Sequence, residues 1–189
     1  MFDNKIVFFT VKQITADIFQ QLIRIKSRFW NAGGSHATIY QYVQPKYGVL
    51  DHFISQMTGI TNDQNKYAPM LEEAVIHLLE WIGNREYKVF AWSNTDYRQL
   101  KHEIQSKGIT NPEILEFVNQ DRWTDYQKTF DNRYDFDRSV GLADALELCE
   151  IEPDGHFHDG LDDAINTAKI IKKLEEKDLG ENAVWIRNF

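Results

Sequence analysis

The segment DGHFHDGLDD, residues 154–163, is densely polar and runs directly into an amphipathic stretch. A histidine just before a helix and an aspartate one turn inside it can face the same pocket. His158 could then act as a general base, because imidazole titrates near neutral pH, and Asp163 could hold Mg²⁺ or Mn²⁺ through carboxylate oxygens. Helix capping is the alternative interpretation, with Asp159 near the N-cap and Asp162 and Asp163 favoured by the helix dipole.

The same segment allows a second metal hypothesis. His156 and His158 have the i, i+2 spacing of two zinc ligands that project the same way from a strand. The sequence offers no evident third ligand for them. The single cysteine, Cys149, excludes an internal disulfide and a cysteine-rich zinc site.

Length and composition narrow the class of protein. The chain has 189 residues, with 29 Asp plus Glu and 21 Lys plus Arg, so its formal charge is −8. This length suits one domain over residues 1–189 and is too short for a full (β/α)₈ barrel. The apolar run near the start, Ile6 to Val11, is too short for a signal peptide or a membrane span. We therefore expect a cytoplasmic protein without membrane association.

Charge is unevenly distributed along the chain. Residues 139–168 hold eight acids and no Lys or Arg, so this stretch accounts for the whole net charge. The first fifty residues are basic, with Lys5, Lys12, Arg24, Lys26, Arg28 and Lys46 against Asp3 and Asp17. A local acidic cluster suits a divalent-metal site or a solvated acidic face. The total charge argues against non-specific binding of a phosphate backbone over a broad surface.

Hydrophobic periodicity predicts three leading strands, whose close spacing indicates an antiparallel meander, followed by alternating helices and strands. That order implies a mixed sheet covered by helices. The predicted strands span residues 5–12, 22–30, 37–43 and 87–92. The predicted helices span residues 51–57, 71–81, 96–106, 126–130, 142–148 and, as a long amphipathic helix, 161–174.

A second candidate site follows the fourth predicted strand. Asp96 lies where a buried strand ends and a helix begins, in the segment AWSNTD, residues 91–96. This edge of an α/β sheet commonly binds ligands. A capping role at the start of the helix is the alternative interpretation.

These motifs, in this order, resemble those of the DEDD-type 3′–5′ exonucleases whose last motif contains a histidine. The histone-mRNA exonuclease and the bacterial sporulation-inhibitor-like exonucleases represent the most similar branch. Residues 91–96 resemble the second motif, and residues 155–166 resemble the last one. The resemblance implies His158 as general base, with Asp96 and Asp163 as ligands of Mg²⁺ or Mn²⁺. It also implies an α/β, ribonuclease-H-like fold with a five-stranded mixed sheet.

The resemblance also implies a nucleic-acid contact. The segment MTGIT, residues 57–61, is similar to the family's Leu-Thr-Gly-Ile-Thr segment, which in relatives contacts the terminal base and sugar. Phe53, Thr58, Gly59 and Ile60 are the candidate contacts, although Phe53 also suits a core position on a short helix. The implied partner is the 3′ end of a single-stranded nucleic acid, or a nucleotide.

The first motif departs from the family pattern. Asp-x-Glu is expected on the first strand, where this chain has Thr10 and Lys12. On the second strand, Arg24 stands where active relatives often carry Glu. We expect hydrolysis to be lost or strongly impaired, with the Lys12 ammonium partly replacing the metal and pairing with Asp163 or Asp96. If the strand register differs by one residue, Lys12 is instead a surface lysine.

Two alternatives remain open at this point. One is an active exonuclease in which a neighbouring acid enters the site or a single metal binds at Asp163. The other is a protein-interaction module, binding a protein partner or a second copy of the chain, with a vestigial pocket.

Overall fold

A mixed sheet forms the centre of the fold. The computed structural model describes residues 5–16, 19–30, 36–46, 48–50, 52, 55–56, 59–83, 87–155 and 160–179. Its strands are β1 (Lys5–Ala16), β2 (Phe19–Trp30), β3 (His36–Tyr42), β4 (Tyr87–Ala91) and β5 (Trp123–Asp125). The five strands lie in the order β3-β2-β1-β4-β5. β1 pairs antiparallel with β2, and β2 with β3, whereas β1–β4 and β4–β5 are parallel. The predicted five-stranded mixed sheet and its antiparallel meander are confirmed.

Helices flank the sheet. They are α1 (Asn62–Asn65), α2 (Leu71–Ile82), α3 (Thr95–Ser106), α4 (Pro112–Phe117), α5 (Tyr126–Arg133), α6 (Leu142–Leu148) and α7 (Gly160–Leu179), with a 3₁₀ turn at Gln120–Arg122. The predictions for α2, α3, α5, α6 and α7 are confirmed to within a few residues. The predicted helix over residues 51–57 lies largely outside the described residues. Within the described ranges, no helix is both long and apolar enough to cross a membrane.

β1 and β2 are longer than their hydrophobic patterns predict. The apolar pattern of β1 weakens after Lys12, but its pairing with β2 continues to Ala16, which lies opposite Phe19. The register shifts between Lys12 and Gln13, as at a β-bulge. Cross-strand hydrogen bonds therefore extend the hairpin beyond the apolar residues that signal it.

Two hydrophobic clusters cover opposite faces of the sheet. Val89 packs in the cluster formed mainly by α2, α3 and α4. Its neighbour Phe90 packs against the cluster formed by α5, α6 and α7. Because successive strand residues point to opposite faces, these two positions show that the sheet lies between two helical layers. We call the side of Phe90 the α7 face.

A buried ion pair lies at the end of α3. Glu103 is fully buried, and its carboxylate accepts hydrogen bonds from Lys107 Nζ and, at 3.2 Å, from Gln99 Nε2. The Lys107 side chain is only 10% exposed. Removing one member of such a pair leaves an uncompensated buried charge.

We expect Lys107→Ala to lower the free energy of unfolding by about 3–5 kcal/mol, since it strands the Glu103 carboxylate. Urea denaturation followed by circular dichroism measures the change. Lys128→Ala, on the exposed side of α5, is the matched control and should change stability by less than about 0.5 kcal/mol. The double variant Glu103→Gln/Lys107→Ala should recover part of the loss. If it recovers none, the stranded charge is not the cause.

Candidate active site

The turn between β4 and α3 carries Asp96. The main-chain oxygen of Trp92, the first residue after β4, accepts a hydrogen bond from Gln127 N at 2.7 Å. The Trp92 ring lies 5.7 Å from that of Phe130, so the turn is held against α5. Asn94 is the N-cap of α3 and makes no side-chain capping hydrogen bond. Asp96 lies in the first turn and is half-buried, where the helix dipole favours a carboxylate. It is therefore not the N-cap residue.

Asp163 lies at the beginning of the last helix. It is in the first turn of α7, with Asp162, and its side chain is half-buried. Its main-chain oxygen accepts a hydrogen bond of 2.8 Å from Thr167 Oγ1. Helix α7 packs against β1 and β2, which brings the helix that carries Asp163 next to the strand that carries Thr10 and Lys12.

The sheet register places those positions on the α7 face. Phe8 lies opposite Phe90 on β4 and opposite Arg28 on β2. Directly paired residues share a face, and so do residues two apart on one strand. Positions 10 and 12 are therefore on the face of Phe90. Thr10 pairs with Lys26, and Lys12 pairs with Arg24.

Several side chains of α7 bind the chain segment that leads toward His158. Asn166 is fully buried; its Oδ1 accepts from Asp154 N at 2.8 Å, and its Nδ2 donates to Asp154 O at 3.0 Å. Lys169 Nζ lies 2.8 Å from Asp154 Oδ2. Lys173 Nζ donates to the main-chain oxygen of Cys149. These bonds tie residues 149–154 along α7.

Gly155 continues this contact. Its φ is +67°, a left-handed conformation that favours glycine. A β-carbon at this position would overlap the carboxylate of Asp162. The left-handed backbone is the stronger reason for glycine here, since the Asp162 carboxylate is the end of a side chain that could move aside.

The segment implied to contact the terminal base is partly described. Gly59 has a φ of +68° and donates its N–H to Ser55 O at 2.9 Å. Ile60 is fully buried and packs with Leu50 and Tyr42. The Ile60 side chain is occupied by this packing, so a contact between Ile60 and a ligand would come from its backbone. The candidate contacts Phe53 and Thr58 lie outside the described residues.

His158, the predicted general base, lies outside the described residues. His156, which the zinc hypothesis pairs with His158, also lies outside them. Within the described ranges, no group of three or more His, Cys, Asp or Glu side chains is arranged to hold a metal ion. The roles of Asp96, Asp163 and His158 stay predictions.

The structure gives a role to three groups for which the sequence predicts none. Asn166 ends the segment that resembles the last motif, but its clamp on Asp154 depends on tertiary contact. Gln127 holds the Trp92 turn through its backbone. Tyr42, at the end of β3, packs with Ile60. The Asn166 side chain alone had a local signal, because a polar residue occurs there among the apolar positions of α7.

The mixed sheet in the order β3-β2-β1-β4-β5, covered by a helical layer on each face, is the arrangement of a ribonuclease-H-like α/β protein. A sequence model of the RNase T exonuclease family matches residues 21–171. The chain therefore belongs to this exonuclease family. The match begins within β2, so the β1 positions Thr10 and Lys12 lie outside it.

Curated relatives agree with this assignment. ERI1 exoribonuclease 2 of Xenopus laevis is 28% identical over 180 residues, which covers 82% of this chain and 25% of the relative. The 3′-5′ exoribonuclease 1 of Rattus norvegicus is 28% identical over 146 residues, covering 72% of this chain and 41% of the relative. The chain thus spans less than half the length of these relatives.

Solved structures confirm the ribonuclease-H-like fold. The nuclease domain of 3′hExo, a DEDDh family member solved with bound rAMP, has a TM-score of 0.75 and 22% identity, over 95% of this chain and 94% of that one. A full-length 3′-exonuclease has a TM-score of 0.78 and 24% identity, over 94% of this chain and 84% of that one. The predicted exonuclease family and the predicted ribonuclease-H-like fold are confirmed.

We expect Asn166→Ala to lower the free energy of unfolding by about 1–3 kcal/mol, because both main-chain polar groups of Asp154 lose their partner. Thermal and urea unfolding measure this change. Lys169→Gln removes a partly exposed ion pair to the same residue and should lower stability by less than about 1 kcal/mol. Equal losses in the two variants would contradict a special role for the Asn166 clamp.

Proposed function

We propose that this chain binds the 3′ end of a single-stranded nucleic acid, or the nucleotide at that end, and that its hydrolytic activity is lost or strongly impaired. One observation carries the proposal. Thr10 and Lys12 share the α7 face of β1 with Phe8 by strand pairing, and the family resemblance assigns two carboxylates to these two positions. Family membership supports the nucleic-acid ligand, since the similar nuclease domain was solved with rAMP.

The chemistry of positions 10 and 12 explains the expected loss of activity. In the family, divalent cations bind anionic oxygen ligands and supply the activation of water and the stabilisation of the scissile phosphate. A hydroxyl and an ammonium replace two carboxylates, so two negative charges give way to one positive charge. Asp96 and Asp163 remain as the carboxylates of the four-acid pattern. This donor set does not fit a pair of tightly bound divalent cations.

Lys12 can instead serve in binding. An ammonium on the α7 face can neutralise Asp163 or Asp96 and can attract a phosphate as a point charge. Arg24, directly opposite Lys12 on β2, adds a second positive charge in the same row. The family resemblance leaves His158 as a hydrogen-bonding group beside that phosphate.

An active exonuclease is the second candidate function. It is supported by the retained second and last motifs, including Asp96, His158 and Asp163. In that case Mg²⁺ or Mn²⁺ would be held mainly by the two aspartates, and His158 would accept a proton from water. A protein-interaction module on this fold is the remaining alternative.

The activity test uses single-stranded RNA and DNA labelled at the 5′ end, with Mg²⁺ or Mn²⁺ titrated into the full chain. We expect binding by fluorescence anisotropy without stepwise shortening on a denaturing gel. Metal-dependent trimming that disappears in His158→Ala and in Asp163→Ala would overturn the proposed loss of activity. Failure of any nucleic acid or nucleotide to bind would favour the interaction module.

Restoration of the first motif tests the cause of the loss. Thr10→Asp/Lys12→Glu returns two carboxylates to one face of β1, so we expect calorimetrically measurable Mn²⁺ binding and some trimming. Lys5→Glu/Gln13→Glu adds acids to β1 away from the two motif positions and is the control. If the restored variant binds no metal although it folds, the site departs from the family beyond its first motif.

A further inference from the structure

We propose that the outer edge of β3 is the interface of a homodimer, in which β3 of one chain pairs antiparallel with β3 of a second copy. The two five-stranded sheets then continue into each other. The inference does not rest on the proposed function, because it concerns an edge of the sheet that lies two strands away from Thr10 and Lys12 on β1.

The pairing of β3 leaves one of its edges to be considered. β3 (His36–Tyr42) is the last strand on its side of the described sheet, and β2 is its one neighbour there. It pairs with β2 over seven consecutive positions without a register shift. The second edge of such a strand presents a row of N–H and C=O groups that another strand can bind.

The sequence of β3 favours the addition of a strand. Its residues, HATIYQY, include no Lys, Arg, Asp, Glu or Pro, whereas charged residues and proline are common protections of an edge strand. Thr38, Ile39, Tyr40 and Tyr42 are β-branched or aromatic, the types that favour strands. Thr38 and Tyr40 are also exposed. β3 therefore combines a high tendency to pair with few obstacles to pairing.

Exposed apolar side chains lie beside this edge. Tyr67 is 84% exposed and Val49 is 77% exposed, and Tyr40 and Met70 are about half exposed. We call these four the flanking side chains. Large apolar residues that are exposed together mark a surface that binds another protein.

Hydrogen bonds hold the segments of the flanking side chains next to the end of β3. Gln44 N, two residues after the strand, donates to Pro69 O at 2.9 Å. Asn62 Oδ1 accepts from Leu50 N at 2.7 Å, and Asn62 Nδ2 donates to Leu50 O at 2.8 Å. Pro69 and Leu50 are chain neighbours of two flanking side chains. This surface is thus formed before a partner arrives, which lowers the entropic cost of association.

Charge identifies a second copy of the chain as the partner. Residues 36–50 and 59–71 contain one acid, Asp63, and two bases, Lys46 and Lys66, although the whole chain carries −8. Two copies repel each other through their net charge, and this repulsion is weakest where a nearly neutral surface is presented. A two-fold axis makes an antiparallel strand edge its own complement, because it brings the N–H groups of one copy to the C=O groups of the other.

The size of the surface explains why both parts are needed. A strand of seven residues is about 23 Å long, and a stable interface buries about 800 Å² on each partner. A strand edge is narrow, so we expect the flanking side chains to supply the remaining apolar area. The strand would fix the register of the two copies, and the flanking side chains would add affinity.

The first arm of the experiment measures the oligomeric state. Sedimentation velocity of the full chain, without nucleic acid and over a wide range of concentration, should show a species of twice the 22.2 kDa chain mass. Because the surface carries little charge, the dimer affinity should change little with salt. A chain that stays monomeric at every concentration overturns the inference.

The second arm uses matched variants whose folding is checked by circular dichroism. Thr38→Lys should weaken the dimer about tenfold or more, since edge lysines oppose pairing and like charges across a strand pair are destabilising. Thr110→Lys adds the same charge at an exposed position before α4 and should leave the dimer unchanged. Tyr67→Ser should weaken it about fivefold or more, because a buried ring contributes strongly to an interface. Tyr134→Ser removes an exposed ring elsewhere and is its control.

Hydrogen exchange distinguishes strand pairing from association through side chains alone, and it needs no variant. Main-chain amides of β3 should exchange more slowly as the wild-type chain dimerises, since pairing protects their N–H groups. A dimer whose β3 amides exchange as fast as in the monomer overturns the inference, and so does a dimer that Thr38→Lys and Tyr67→Ser leave intact. No arm measures nucleic-acid binding, so failure here leaves the proposed function standing, and failure of the proposed function leaves the dimer standing.

Discussion

The pairing of β1 on both of its sides determines where every candidate residue lies. β1 is antiparallel to β2 and parallel to β4, so it links the leading hairpins to the helix-covered half of the sheet. Phe8, paired on both sides, assigns one face to Phe90, Arg28 and the first-motif positions. A slip of one residue in either pairing would move Thr10 and Lys12 to the opposite face. The functional argument therefore depends on this register more than on any single side chain.

The last helix, α7, packs on one face of the sheet and supports this placement of the candidate residues. α7 contributes Asp163 near its beginning and apolar residues to the cluster around Phe130. Its polar residues Asn166, Lys169 and Lys173 bind the preceding segment. One helix thus positions a carboxylate, completes a core and anchors the chain on the way to His158.

The sequence predicts the parts of the fold that have local signals. Leu71–Ile82 shows helical spacing and ends at Gly83, whose φ of +74° suits the residue after a helix. β5 has three residues, Trp123–Asp125, and its existence depends on pairing with β4 rather than on a hydrophobic run. α4 has six residues, too few for periodicity, although Asn111 and Pro112 are good signals for a helix start.

The residues of the candidate site divide in the same way, into those with a local signal in the sequence and those that depend on tertiary contacts. The order of the motifs predicts Asp96 and Asp163 as site residues. The alternation of residues along a strand predicts that Thr10 and Lys12 share one face. The Asn166 clamp could not be predicted, since it joins α7 to a segment twelve residues earlier in the chain. The position of Ile60 also required the structure, because the sequence does not distinguish a buried isoleucine from one that touches a ligand.

The separation of charge between the basic first fifty residues and the acidic stretch of residues 139–168 has a kinetic consequence. A chain with its bases and acids on different elements has an electric dipole, and a polyanion diffusing toward it experiences a torque before contact. The net negative charge repels that polyanion at long range. At about 0.1 M salt, where the Debye length is about 10 Å, screening removes most of this long-range repulsion but leaves the short-range attraction. The basic region would then orient the polyanion as it approaches. The association rate would be highest at an intermediate ionic strength and not at the lowest one.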